Sequence, residues 1–169
     1  MSHCEEKHCT CTGTIATQSL DELEFERGIW YAAQYGDLER VKKLLSGFGS
    51  DPNKRDAAGY TGLHYAARNG HLDVCKILIE KGADVNSVTR VGKATALCRA
   101  SSAGKKDIVE YLLNKKADPF IQDSDGKTAL HRATENKHFP ICQILINTAP
   151  SLKEVEDNKG HRADLTKIN

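Results

Sequence analysis

Apolar positions along the chain fall into pairs of short stripes, each with the spacing of one helix face. Leu63, Ala66 and Ala67 form a narrow stripe three to four residues apart, which predicts a short helix. Leu72, Val74, Cys75, Ile77, Leu78 and Ile79 follow at once and predict a second helix over 71–80. Polar turns bound the pair. Residues 56–59 carry turn chemistry, with Gly59 suited to positive φ. Thr61 is placed to cap the first helix, and Gly70 to end it in the left-handed conformation. Lys81-Gly82-Ala83-Asp84-Val85-Asn86 is the exit turn. The unit then returns. Leu63, Leu97 and Leu130 are 34 and 33 residues apart, and Gly36, Gly70 and Gly104 are 34 and 34 apart. Leu44, Leu78, Leu112 and Leu145 follow at 34, 34 and 33. This period predicts stacked helical repeats. One helix pair cannot bury its apolar faces alone, so it must lie on like units.

The stretch Gly59-Tyr-Thr61-Gly-Leu63-His64-Tyr-Ala66-Ala67-Arg-Asn-Gly70-His71, with Gly82-Ala83-Asp84-Val85-Asn86 after it, closely resembles the ankyrin repeat. The resemblance implies an all-α solenoid of four stacked helix-turn-helix repeats with projecting β-hairpin turns. The repeats run over about 24–55, 56–88, 89–122 and 123–152, with a partial C-terminal cap at 153–165. Together these make one domain over 24–165. It is flanked by a disordered Cys/His-containing tail over 1–23 and a short tail over 166–169. The first repeat is degenerate, with Trp30 in the usual His place, as expected of a cap with a single neighbour.

Departures from the repeat pattern carry their own expectations. Gly62, Ala96 and Ala129 replace the usual Pro after the capping Thr, so the first helical turn loses a preset φ. One extra residue, Lys93 or Ala94, lengthens the third hairpin, and Cys98 replaces His, which removes a polar link to the Thr hydroxyl. Lys137 stands where Gly should cap a helix, at a cost of roughly 1 kcal/mol. Ala149-Pro150 ends the fourth repeat abruptly, and residues 157–165 resemble a fifth repeat that stops before its second helix. The C-terminal end is therefore expected to be the least stable part of the stack.

Charge and composition narrow the partners. A formal net charge of +1 gives no global field toward nucleic acid or acidic lipid, so neither is expected. No apolar run reaches the ~18 residues of a membrane span, and the N-terminus lacks an apolar signal core. A cytoplasmic or nuclear location, with reduced thiols, is the expectation. Four of the seven His residues, at positions 64, 71, 131 and 138, occupy repeat positions where a structural hydrogen bond accounts for them. No His-Glu-x-x-His, phosphate loop or Gly-x-Ser-x-Gly occurs, so neither an enzyme nor a cofactor is expected. Cys75, Cys98 and Cys142 lie in apolar registers as small hydrophobes. Cys4, His8, Cys9 and Cys11 bear ligand types that suit zinc, though their spacing lacks the paired Cys-x-x-Cys of common zinc modules.

The resemblance also places variable residues on a groove of hairpin tips and first-helix faces. Gln34, Tyr35, Tyr60, Arg68, Asn69, Arg90, Lys93, Lys127, Glu135 and Asn136 are the expected partner-binding residues. The reading is a monomeric, non-enzymatic adaptor or scaffold that binds a protein segment on its concave face, with no small-molecule substrate. A metal- or redox-responsive role for the N-terminal His/Cys cluster is the alternative. Asn86, in Leu78…Asp84-Val85-Asn86, also matches the site that an asparaginyl hydroxylase uses in such repeats.

Overall fold

The computed structural model describes residues 28–47 and 50–166. Among these residues the chain forms eight α-helices in four antiparallel pairs: α1 (Ile29–Tyr35) with α2 (Leu38–Ser46), α3 (Gly62–Asn69) with α4 (Leu72–Glu80), α5 (Ala96–Ser102) with α6 (Lys106–Asn114), and α7 (Ala129–Glu135) with α8 (Phe139–Thr148). A 3-10 turn over Pro150–Glu154 follows. The first helices α1, α3, α5 and α7 form one row and the second helices another. Contacts within the first row are much the closer, because Ala32, Ala33, Ala66, Ala67, Ala100 and Ala133 are fully buried there and hold the backbones near one another. Between the rows runs a continuous core in which Leu63, Leu78, Leu97, Leu112, Leu130 and Leu145 are at most 1% exposed. Leu44 is only half-buried, and Val41 and Leu45 take the core positions of α2.

Glycine closes the first helices at Gly36, Gly70 and Gly104, with φ of 73°, 96° and 71°. Space as well as φ demands it at Gly36, where an added Cβ would lie 2.5 Å from His71 Nδ1 of the next repeat. His71 Nε2 in turn donates to the Gln34 carbonyl at 2.9 Å, and His138 Nε2 to the Ser102 carbonyl at 3.1 Å. In the fourth repeat Lys137 does adopt the left-handed conformation, at φ 60°. Lys116, in the place of Gly82, does so too at φ 68°, as does Lys93 at φ 48°. The extra residue of the third hairpin is thus absorbed as a left-handed turn at Lys93.

The projecting turns are not β-ladders. Among the described residues they carry only two isolated bridges, Val88 with Thr95 and Glu156 with Arg162. Asp side chains organise the tips instead. Asp56 Oδ1 accepts from Tyr60 N–H at 2.8 Å, and Asp123 Oδ1 from Lys127 N–H at 3.0 Å. After the 3-10 turn, residues 156–162 form one more tip, and no helix follows it among the described residues. His131 Nε2 anchors that tip by donating to the His161 carbonyl at 3.1 Å.

Candidate protein-binding face

Two ladders of bonds between repeats hold the tips in line. Arg90, Ser124 and Asn158 N–H groups donate to the Ala58, Gly92 and Asp125 carbonyls of the preceding tip, at 3.3, 2.9 and 3.1 Å. At the opposite side, Asn53 Oδ1 accepts from Asp84 N–H at 2.7 Å, and Asn86 Oδ1 from Asp118 N–H at 2.8 Å. Asn86 N–H also donates to Asp84 Oδ1 at 2.9 Å. Its amide therefore carries the structural turn role.

The residue at the His position of each first helix fixes that helix to the next tip. Thr61 N–H donates to His64 Nδ1 at 3.1 Å, so Nδ1 is unprotonated and Nε2 carries the proton. Nε2 then donates to Ser87 and Ala94 carbonyls at 3.0 and 3.1 Å. Burial lowers the His64 pKa from 6.5 to about 4, which keeps the ring neutral. Trp30 does the same work in the first repeat, donating Nε1–H to the Lys54 carbonyl at 2.9 Å. Cys98 keeps only a 4.0 Å thiol contact to the Ile121 carbonyl. The Thr95 hydroxyl is not idle there, since it accepts from Cys98 N–H at 3.2 Å as a helix cap.

Next to this position, pointing toward the tips, stand Tyr65, Arg99 and Arg132 of α3, α5 and α7. Tyr65 Oη donates to Asp56 Oδ2 at 2.6 Å. Arg132 Nε donates to Asp123 Oδ2 and Nη2 to Asp125 Oδ2, both at 2.7 Å. Burial opposes the Arg132 charge, but Asp125 and Asp123 outweigh it and raise its pKa. Arg99 lies over the Tyr60 ring, with Cζ 4.8 Å from its centroid. Tyr60 packs on His64 and Tyr65, at centroid distances of 5.9 and 5.4 Å. Arg99, Arg132, Ser102, Asp123, Glu135 and Asn136 surround a cleft of about 440 Å³ between the third and fourth repeats.

The expected binding residues divide on this frame. Arg68, Arg90 and Lys93 are exposed, as is Val91 beside them at 77%. Tyr35 is 62% exposed, its ring 4.6 Å from Tyr31. Gln34 and Tyr60 are half-buried. Asn69 and Asn136 turn back on their own helices, donating to the Tyr65 and Arg132 carbonyls at 2.9 and 2.8 Å. Lys127 and Glu135 form an ion pair with each other, so much of their charge is internally satisfied. The sequence reading passed over Arg99 and Arg132. Their signal was a long cationic side chain one residue after the His position, nine or ten residues beyond the tip residue.

The three described thiols, Cys75, Cys98 and Cys142, are buried. Desolvation raises Cys75 to about 12 and Cys142 to about 11, and raises Cys98 as well. No group of three or more His, Cys, Asp or Glu side chains able to hold a metal occurs among the described residues. Cys4, His8, Cys9 and Cys11 lie outside the described residues. No helix among the described residues is long and apolar enough to cross a membrane.

The family model described as ankyrin repeats (3 copies) matches residues 29–123, and that of the single ankyrin repeat matches 125–154. The chain belongs to the ankyrin-repeat family. Among curated proteins, this ankyrin chain is 48% identical over 72 residues to human ankyrin repeat domain-containing protein 39, covering 43% of the chain and 39% of that protein. It is 60% identical over 47 residues to the Bos taurus protein of the same name, covering 28% and 25%. The matched stretches thus span well under half the length of these ankyrin relatives. Ankyrin repeats generally mediate protein–protein interaction.

Proposed function

We propose that this ankyrin stack is a non-enzymatic adaptor or scaffold whose hairpin tips and first helices bind an extended segment of one partner protein. The observation that supports it is the clustering of Tyr60, at the second tip, with Tyr65, Arg99 and Arg132 of the adjacent first helices, on a stack that also exposes Arg68, Arg90, Val91 and Tyr35. Tyr and Arg are the side chains that most often dominate interface energetics. The partner segment follows the row of tips, with its apolar side chains toward Val91 and the Tyr60 ring.

Tyr60 is unsuited to the decisive test because its ring also packs on His64 and Tyr65. Exposed Tyr35 and Arg68 are better. Tyr35→Ala together with Arg68→Ala is expected to abolish recovery of partners in quantitative affinity purification, with an unchanged thermal midpoint. Undiminished recovery of every partner by the double variant would falsify this placement.

Asn86 remains a proposed hydroxylation acceptor on the same chain. Its N–H is engaged in its own turn and its side chain bonds the next repeat, so an enzyme must break both contacts to reach it. Peptide mapping of protein from oxygenated cells is expected to show the mass of one added oxygen at Asn86. Its absence when the hydroxylase is overexpressed leaves Asn86 as a turn residue.

A further inference from the structure

Arg99 breaks a rule that its neighbours in the stack obey. Tyr65, Arg99 and Arg132 share one register position, and in two of the three cases the side chain reaches a carboxylate at the base of its own hairpin. Tyr65 bonds Asp56, and Arg132 bonds Asp123. The corresponding residue of the third hairpin is Thr89, whose hydroxyl accepts from Ala94 N–H at 3.1 Å. A threonine there keeps the turn but supplies no charge. Arg99 Nε is consequently buried with no hydrogen-bond partner among the described residues.

The carboxylates nearby are already engaged. Asp123 accepts from Asp125 N–H and Lys127 N–H on one oxygen and from Arg132 on the other. Asp125 is also bound by Arg132, and Glu135 by Lys127 and Arg132. What reaches Arg99 is the Tyr60 face, which attracts a cation without hydrogen-bonding it. A guanidinium with five donors, half out of water and lacking an acceptor, is poorly satisfied in the free protein. Nε itself is buried, so an incoming planar carboxylate would pair bidentately with the two terminal Nη groups.

We propose that Arg99 is the recognition residue for an Asp or Glu side chain on the partner's segment, seated in the cleft between the third and fourth repeats. This rests on the binding face proposed above. Ser102 helps, because its hydroxyl oxygen faces Asn136 Nδ2 at 3.3 Å and its proton remains free to donate to the same carboxylate. Arg99 and Arg132 line the cleft with Asp123 and Glu135, so its charges sum to zero, and Arg132 already pairs with both carboxylates. Arg99 is thus the cation left for one incoming carboxylate, and the second charge of a phosphate dianion would face Asp123 and Glu135 unpaired. Arg99 stands one register step from Tyr60, so an acidic residue flanked by an apolar or aromatic one matches the pair.

The test is selection of a random-peptide phage library on the full chain, followed by affinity measurement on synthetic copies of the enriched peptides. Enriched sequences are expected to share one Asp or Glu. Changing it to Asn or Gln should weaken binding at least about tenfold for the wild type, and less than about twofold for Arg99→Met. Arg99→Lys retains the charge without the fork and should fall between. Circular dichroism melts of both variants establish that they fold. Peptides bound through Tyr35 and Arg68 but lacking an acid, or binding Arg99→Met as tightly, overturn the proposal and leave the binding face standing. Tighter binding when phosphoserine replaces the acid overturns the choice of carboxylate. Peptides indifferent to Tyr35, Arg68 and Arg99, or no enrichment at all, overturn both.

Discussion

At the scale of single residues, three side chains depart from the local rule and each sets an expected outcome. His64 is neutral in the folded chain, with a pKa of about 4 against 6.5 for a free imidazole. Between those values the unfolded chain binds the proton and the folded chain does not, so stability falls as pH falls. The loss is complete near pH 4 and amounts to roughly 3 kcal/mol for this residue. Urea titrations from pH 7 to 4 should show the decline, and His64→Gln should flatten it. Ser101 is fully buried with its Oγ unpartnered among the described residues, where Ala33 and Ala67 hold the same register. Removing that hydroxyl by Ser101→Ala is expected to raise stability by about 1 kcal/mol, read from the urea midpoint. Lys137, at φ 60°, should yield a gain of about 0.5–1 kcal/mol on changing to Gly, measured the same way.

The element scale is where the sequence was most legible. Every helix pair from α3 to α8 coincides with an apolar stripe bracketed by a capping Thr and a turn, because a buried stripe and a satisfied helix end are local requirements. The tips were less legible. They lack ladders because Asp side chains, rather than a partner strand, take up the free N–H groups. The proposed binding face was legible in part. Exposed Arg68 and Arg90 stand at variable positions, as read. Whether Lys127 or Arg99 is left without an acceptor depends on one residue eight to ten positions away in the same repeat, Glu135 for the one and Thr89 for the other, which the apolar stripes do not report. One element-scale prediction tests the shared core. Leu112→Ala removes a side chain that is 0% exposed within α6, and is expected to cost on the order of 2–5 kcal/mol by chemical denaturation.

Taken as a whole molecule, the stack is asymmetric. Its N-terminal repeat keeps the full link to the next tip through Trp30, whereas the last tip is held by the His161 carbonyl, the Asn158 contacts and the buried Leu152 and Ala163. Hydrogen exchange is accordingly expected to be fastest in residues 156–166 and slowest in α3 and α5, which have first-row neighbours on both sides. Uniform protection along the chain would contradict this. The placement of the thiols bears on the same question. Cys75, Cys98 and Cys142 fall one each in the second, third and fourth repeats, all buried and held as unreactive thiols. The chain therefore carries its own set of site-resolved clocks. Time-resolved alkylation read by peptide mass spectrometry would give a separate opening rate for each of these repeats, with no residue changed.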